Sequence, residues 1–312
     1  MLTSDRHAKP RAEASAAATP AFSIITTCKG RLEHLKQSLP RMAVQAGAEV
    51  IVVDYDCPDG TGDWVAENFP AVRVVRVQNA PIFRIAHARN LGAAEARGRW
   101  LCFVDADILL DERFAVQALP LLQEGAFYSF AHPMASAYGT VSCQRDDFSA
   151  IGGYDEVMEG YATEDRDLYL RLLAHGRRRE MLPGDWVQTI EHDRDASVRY
   201  HEIRDHALNQ RINATYVQIK QDLARQLGAQ FLTVAARRTI YAEVRRTLRQ
   251  AAQSGQPAAR VSVTLPPDLD VRLYGWQMTR TWIYQLNPLR QAAEPGAGLV
   301  AGDQPAGRGV EV

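Results

Sequence analysis

The stretch RWLCFVDAD, from Arg99 to Asp107, decides how this chain is expected to fold. Its apolar part, Trp100 to Val104, is bounded by polar residues and is typical of a strand buried on both faces of a parallel sheet. Asp105 and Asp107 follow directly, at the carboxyl end of that strand, where open α/β sheets bind ligands. Their carboxylates favour a hard divalent cation that carries a phosphorylated substrate. A solvated turn is the alternative for the triplet alone.

Earlier segments alternate between strand and helix patterns. The apolar runs 22–27, 50–53 and 72–77 predict three strands. An amphipathic helix near 32–39 and an Ala-rich helix over 86–96 lie among them. Such alternation indicates an α/β fold with right-handed crossovers and a parallel sheet.

Composition narrows the class of protein. The 312 residues include 36 basic and 37 acidic side chains, so no overall charge points to a nucleic-acid partner. The four cysteines are scattered without zinc-ligand spacing, which favours a reduced, cytoplasmic setting. No apolar run is long enough to span a membrane, so we expect at most peripheral contact with the inner face of the cell membrane.

The chain divides into four expected segments. Residues 1–20 and 291–312 are Ala-rich or Gly/Pro-rich tails that we expect to be disordered. Residues 21–195 contain the predicted sheet. Residues 196–290 are rich in arginine and helix formers and predict a mainly helical C-terminal extension.

Five arginines of this extension have helical spacing and are candidates for one helix face: Arg237, Arg238, Arg245, Arg246 and Arg249. Such a face would suit an anionic membrane or a lipid-phosphate-linked acceptor. A solvated helix surface is the alternative.

Several motifs besides the Asp105-Ala106-Asp107 triplet occur in a fixed order along residues 21–195. They are Val53-Asp54 with Asp59-Gly60-Thr61, Ala88-Arg89-Asn90-Leu91-Gly92, Gly152-Gly153-Tyr154-Asp155-Glu156 and Gly160-Tyr161-Ala162-Thr163-Glu164-Asp165-Arg166-Asp167-Leu168. In this order the chain resembles the family 2 glycosyltransferases with the GT-A fold. The last motif is similar to the acceptor-site stretch of galactosyltransferases and chondroitin-polymerase-like enzymes. The resemblance implies a GT-A catalytic domain over 21–195, with a mixed sheet flanked by helices.

The resemblance also implies a metal-bound donor. Asp107 would ligate Mn²⁺ or Mg²⁺, and Asp105 would hold the ribose or reach the metal. His192 would be a further ligand, and its imidazole suits Mn²⁺ better than Mg²⁺. The alternative for His192 is a surface histidine.

A nucleotide site is implied at the strand ends before the triplet. Asp54 would accept a hydrogen bond from uracil, and Arg31 and Arg89 would pair with phosphate oxygens. For both arginines a solvated or salt-bridged side chain is the alternative. The backbone lining the base would come from three residues: Thr26, Thr27 and Cys28.

Acidic residues in the last motif suit the acceptor. Asp165 would be the general base, with Glu164 and Asp167 contacting or orienting the acceptor. Tyr161, where many relatives carry Trp, would pack against the acceptor sugar. The alternative is plain helix capping by acids in a first turn.

The sequence therefore predicts a metal-dependent, inverting glycosyltransferase of polysaccharide biosynthesis. It would move a sugar from a nucleotide sugar, taken as a UDP-sugar, to a glycan or lipid-linked saccharide. One rival is a haloacid-dehalogenase-type phosphatase with Asp105 as nucleophile. Such enzymes also need a lysine further along the chain, and Lys220 is the only lysine after Asp105. Another is a non-catalytic sugar- or nucleotide-binding protein, if the acids do not converge.

Overall fold

A computed structural model gives the structure of the chain over residues 19–131, 138–191, 198–265, 271–273 and 276–288. Within these described residues, nine strands and six α-helices precede residue 190. The strands are β1 (Phe22–Cys28), β2 (Ala48–Tyr55), β3 (Arg73–Val77), β4 (Trp100–Phe103), β5 (Ile108–Leu110), β6 (Ala126–Phe130), β7 (Val141–Gln144), β8 (Arg178–Leu182) and β9 (Val187–Thr189). The helices are α1 (Leu32–Ala43), α2 (Thr61–Asn68), α3 (Ile85–Ala94), α4 (Phe114–Ala118), α5 (Arg145–Ala150) and α6 (Glu164–Ala174).

Seven of these strands form one mixed sheet in the order β3-β2-β1-β4-β7-β6-β8. β3, β2, β1 and β4 run parallel, β7 is antiparallel to β4 and β6, and β8 runs parallel to β6. β5 and β9 pair separately. All four residues of β4 are buried, which confirms the expected central strand and the mixed α/β sheet.

Pairing register brings the carboxyl ends of the parallel strands to one edge. Cys28 at the end of β1 pairs with Asp54 of β2, and Ile25 pairs with Phe103 at the end of β4. Helix α3 packs closely beneath this edge, because a Cβ at Gly92 would lie only 2.4 Å from Ile25 Cγ2. The first side chains after β4 therefore face the loops that follow β1 and β2.

The described part of the C-terminal extension contains two long helices, and also four short strands that the sequence pattern did not predict. It has helices α7 (His206–Leu227) and α8 (Val234–Gln253), but it also pairs β10 (Ala259–Thr264) with β13 (Thr281–Leu286) and β11 (Val271–Leu273) with β12 (Trp276–Met278). Alternating burial in β10 places Val261 and Val263 against the helices. Within the described residues, no helix is long and apolar enough to cross a membrane. The two predicted tails lie outside the described residues, except for residues 19 and 20.

A buried ion network joins this extension to the sheet domain. Lys220 Nζ of α7 lies 2.6 Å from Asp155 Oδ2 and 2.5 Å from Asp167 Oδ1 of α6. Arg237 of α8 also pairs with Asp155, and Tyr216 donates its hydroxyl to the same carboxylate at 2.7 Å. Burial alone would raise the pKa of Asp155, but the charges of Lys220 and Arg237 lower it to about 2.

Replacing Lys220 with methionine should destabilise the chain strongly. The change leaves the Asp155 and Asp167 carboxylates buried without their shared cation, and breaking such a pair costs about 3–5 kcal/mol. The free energy of unfolding, measured in urea at pH 7, is expected to fall by that amount, whereas Lys36→Met on exposed α1 surface changes it by less than about 0.5 kcal/mol.

The same network sets a pH dependence. The folded pKa of Asp155 lies below its unfolded value, so its contribution to stability is complete above about pH 4 and is lost as pH falls toward 2. An equal loss of stability in the lysine and control variants would contradict the network.

Candidate active site

Arg89 of α3 lies at the centre of the site, where its side chain is only 3% exposed. Its Nη2 donates to Asp105 Oδ1 at 2.7 Å. Its Nη1 donates to Asp165 Oδ1 at 2.6 Å and to Glu164 Oε1 at 3.1 Å. The salt-bridged alternative for Arg89 is therefore the one found, and it joins the carboxylate after β4 to the two that begin α6.

Tyr154 completes this cluster from below. Arg89 Cζ lies 5.0 Å from the centre of the Tyr154 ring, and the Tyr154 hydroxyl donates to Asp165 Oδ1 at 3.1 Å. Asn90 fixes the tyrosine backbone, because its Oδ1 accepts from Tyr154 N at 2.8 Å and its Nδ2 donates to Tyr154 O at 3.0 Å. Gly153 has φ +67°, and a Cβ there would lie 2.6 Å from Asn90 Oδ1. Two neighbouring residues of α3 therefore support the site: Arg89 binds the carboxylates, and Asn90 binds the backbone of Tyr154.

A strained turn delivers Glu164 to this cluster. Ala162 and Thr163 have φ values of +72° and +82°, a conformation that L residues other than glycine rarely adopt. Strain of this kind is concentrated at functional sites. Glu164 Oε1 bonds Arg89, and its Oε2 is buried without a hydrogen-bond partner among the described residues. That oxygen therefore retains an unused capacity to accept a hydrogen bond.

Asp165 combines burial with one open oxygen. Burial raises the pKa of Asp165 well above its usual range and the Glu164 carboxylate raises it further, against the opposing charge of Arg89. Oδ1 accepts from Arg89 and Tyr154, whereas Oδ2 faces the space beside Gly139. A Cβ at Gly139 would lie 3.0 Å from Asp165 Oδ2 and 2.7 Å from Asp105 Oδ2, so glycine keeps this space open.

Asp107 and Arg31 stand at the mouth of the site. Arg31 Nη1 lies 4.0 Å from Asp107 Oδ2, and within the described chain it has no hydrogen-bond partner although it is buried. The side chains of Asp105 and Asp107 are 30% and 22% exposed, so both can reach a ligand. Magnesium and similar ions are commonly held by one or two carboxylates together with substrate phosphates, which this donor set fits.

The predicted third ligand, His192, lies outside the described residues. Among the residues that are described, no group of three His, Cys, Asp or Glu side chains is placed to hold a metal ion. Asp105 and Asp107 are thus the described candidates for metal ligation.

Residues predicted for the nucleotide base lie at the ends of β1 and β2. Asp54 Oδ1 and Oδ2 accept from the backbone amides of Cys57 and Gly62, both at 2.9 Å, so this carboxylate holds the turn that starts α2. Three β1 residues are buried beside it: Thr26, Thr27 and Cys28. A hydrogen bond from the Cys28 thiol lowers the pKa of Cys57 to about 6. All four cysteines are free.

Of the three residues predicted to contact the acceptor, Glu164 lies in the cluster and Tyr161 borders it, whereas Asp167 does not. Tyr161 is half-buried and its ring lies 4.4 Å from that of His206. The prediction that Asp167 contacts or orients the acceptor is corrected by the structure. Its side chain is fully buried, bonds Arg171 Nε at 2.8 Å and pairs with Lys220. One helical turn separates it from Glu164, but its carboxylate serves the ion network rather than an acceptor.

A family comparison decides the identity of this domain. The model of glycosyl transferase family 2 matches residues 23–176. Residues 23–176 are a family 2 glycosyltransferase domain. The match supports a glycosyltransferase in place of the haloacid-dehalogenase-type phosphatase. Lys220, which the phosphatase reading required, is buried between Asp155 and Asp167.

Solved structures are similar to this glycosyltransferase in fold. The mannosyltransferase PcManGT from Pyrobaculum calidifontis, in complex with GDP-Man and Mn²⁺, shares 18% identity with a TM-score of 0.50 over 77% of each chain. TarS 1–349 from S. aureus in complex with UDP shares 13% identity with a TM-score of 0.48, over 83% of this chain and 96% of that one. The fold is GT-A. No curated protein sequence matches the chain.

Sequence reasoning missed two residues that shape the site. Tyr154 was expected only as a member of the motif over residues 152–156, without a role in the site, yet its hydroxyl donates to Asp165. Lys29 is buried, and its Nζ donates to the carbonyl oxygens of Tyr55, Asp56 and Ala80 at 3.1, 2.7 and 2.9 Å. The sequence feature that could have indicated this role is a lysine placed directly after an apolar strand, where it can join the ends of neighbouring strands.

Arg89→Met should destabilise the glycosyltransferase by about 3–5 kcal/mol at pH 7, because three carboxylates then face one another without a cation. Protonation relieves that repulsion, so the loss of unfolding free energy should shrink as pH falls from 7 to 5. Urea unfolding at several pH values measures it. Arg99→Met, an exposed arginine outside the site, is the control, and a pH-independent loss would contradict the cluster.

Proposed function

We propose that this glycosyltransferase transfers a sugar from a UDP-sugar to a saccharide acceptor, with a divalent metal and with inversion at the anomeric carbon. The observation that carries the proposal is the joining of Asp105 to Glu164 and Asp165 by Arg89. It places the residues predicted for donor and acceptor within one cluster. The acceptor that we propose is a growing glycan, free or lipid-linked at the inner membrane face.

Donor binding would involve the mouth of the site. Asp107, with Asp105 beside it, would hold Mn²⁺ or Mg²⁺, and Arg31 would pair its unsatisfied Nη1 with a phosphate oxygen. His192 remains the predicted further ligand. When bound, the metal stabilises negative charge on the departing diphosphate. UDP is proposed on the sequence resemblance alone, and GDP, which PcManGT binds with its sugar, is the comparison ligand.

Transfer would proceed by a single displacement. The acceptor oxygen forms a bond to the anomeric carbon as its proton passes to Asp165 Oδ2, while the bond from that carbon to the diphosphate oxygen breaks and the nucleotide diphosphate leaves. Glu164 Oε2 would accept a hydrogen bond from the acceptor and Tyr161 would pack against its ring. Arg89 and Tyr154 are positioning residues that hold Asp165 Oδ1. Attack opposite the leaving group inverts the configuration.

Calorimetric titration of UDP and GDP, with and without MnCl₂, tests the donor site. Wild type should bind UDP more tightly than GDP, and removing Mn²⁺ should weaken UDP binding by about tenfold or more, because a charge-assisted contact is worth about 1.5–3 kcal/mol. Asp107→Asn should abolish the metal effect, whereas exposed Asp185→Asn should preserve it. Metal-independent binding, or binding of neither nucleotide, would sink the proposal.

Tyr154→Phe should alter the pH profile of transfer. The Tyr154 hydroxyl lowers the pKa of Asp165 by donating to its ionised form, so its removal raises that pKa. Because the base must be ionised, the acid limb of kcat should move to higher pH, with kcat at pH 7 reduced by about tenfold. Tyr128→Phe, a buried tyrosine outside the site, should leave the profile unchanged. An unshifted acid limb would show that Asp165 is not the base.

A further inference from the structure

A cleft lined by arginines lies between the extension and the loop before the site. Its volume is about 390 Å³. Helix α8 supplies most of its wall, and the loop containing Glu156 and Glu159 supplies the rest. Five arginines line it: Arg84, Arg238, Arg245, Arg246 and Arg249. Arg237, predicted on the same helix face, points instead to Asp155.

Ion pairs hold part of this lining in place. Glu159 lies 2.5 Å from Arg84 Nη2 and 2.8 Å from Arg245 Nη1, and Arg245 also pairs with Glu202. These pairs keep two guanidinium groups fixed toward the cleft. Arg249 also lies 3.4 Å from Glu202, so the paired carboxylates offset most of the lining charge and the uncompensated positive charge of the cleft is that of Arg238.

Two of the arginines are available to a ligand. Arg238 is exposed and forms no ion pair with any residue that the structure describes. Arg246 is exposed and pairs at 2.7 Å only with Glu243 of its own helix, a kind of surface pair worth little. Both guanidinium groups can therefore turn to an incoming anion without breaking a buried contact.

The cleft and the active site share one wall. Glu159 faces the cleft, and Tyr161, two residues further along, borders the catalytic carboxylates. Asn213 of α7 fixes that wall, because its Nδ2 donates to the carbonyl oxygens of Glu159, Tyr161 and Ala162 at 3.0, 3.2 and 3.0 Å. A saccharide whose hydroxyl reaches Asp165 would extend past Tyr161 toward the arginines.

We propose that this cleft binds a phosphate group carried by the acceptor, so that the enzyme glycosylates a phosphate-bearing saccharide. The inference rests on the proposed transfer to a saccharide. Neutral sugars need no guanidinium cluster, whereas the planar donors of arginine match phosphate oxygens in pairs. The phosphate belongs either to a soluble glycan or to a lipid headgroup, and both present the same anion to the cleft.

Binding of inorganic tripolyphosphate, measured by calorimetry on the protein without nucleotide or metal because this probe chelates Mn²⁺, tests the cleft. The double variant R238Q/R246Q should weaken this binding by about tenfold or more, and UDP binding should be unchanged. R211Q/R225Q removes the same charge from exposed positions of α7 and should bind like wild type. UDP binding is titrated separately: if wild type fails to bind UDP, the donor proposal fails, and the tripolyphosphate comparison still decides the cleft.

Two results would overturn the inference. Equal tripolyphosphate binding by R238Q/R246Q and R211Q/R225Q would mean that the cleft holds no phosphate. Binding to phosphatidylglycerol vesicles that R238Q/R246Q abolishes, without any tripolyphosphate binding by wild type, would make the cleft a membrane contact. Tripolyphosphate binding together with binding to vesicles containing a polyprenyl phosphate supports the lipid-headgroup source. Tripolyphosphate binding alone supports a soluble glycan phosphate.

Discussion

The candidate active site depends on one buried guanidinium group, that of Arg89. Arg89 is shared by the carboxylates of Asp105, Asp165 and Glu164, which come from two distant parts of the chain. Three carboxylates around one cation leave an excess of negative charge in a poorly solvated place. That arrangement keeps the proton affinity of Asp165 high, which suits the base that we propose it to be. It also requires α3 to lie close against the sheet, as Gly92 permits.

The C-terminal extension also helps to position α6 and the loop before it. Lys220 ties Asp155 and Asp167 together on the far side of α6, and Asn213 holds the loop that ends in the strained Ala162. Helix α6 is thus bound by the extension through Asp167 and by Arg89 through Glu164 and Asp165. The side of the cluster that we propose for the acceptor therefore depends on residues well beyond the matched family domain, which ends at residue 176.

Much of the sheet and of the site could be predicted from the chain. Apolar runs such as Trp100–Phe103 are continuous and bounded by polar residues, so the hydrophobic pattern predicts strands there. The order of the motifs indicated the family. Asp167 was misplaced because an acid in a first helical turn can face either way, and only packing against Lys220 decides. β10 was missed because its two buried valines are few beside its polar residues, and its partner strand lies far along the chain.

A crystal structure of the enzyme with UDP and Mn²⁺ tests the central claim most directly, namely that Arg89 assembles donor and acceptor carboxylates into one site. We expect Mn²⁺ to be bonded to Asp107 and to the diphosphate, with the contacts from Arg89 to Asp105 and Asp165 retained and Asp165 Oδ2 facing the bound nucleotide. A nucleotide bound away from Asp107, or an Arg89 guanidinium that leaves Asp165, would contradict it.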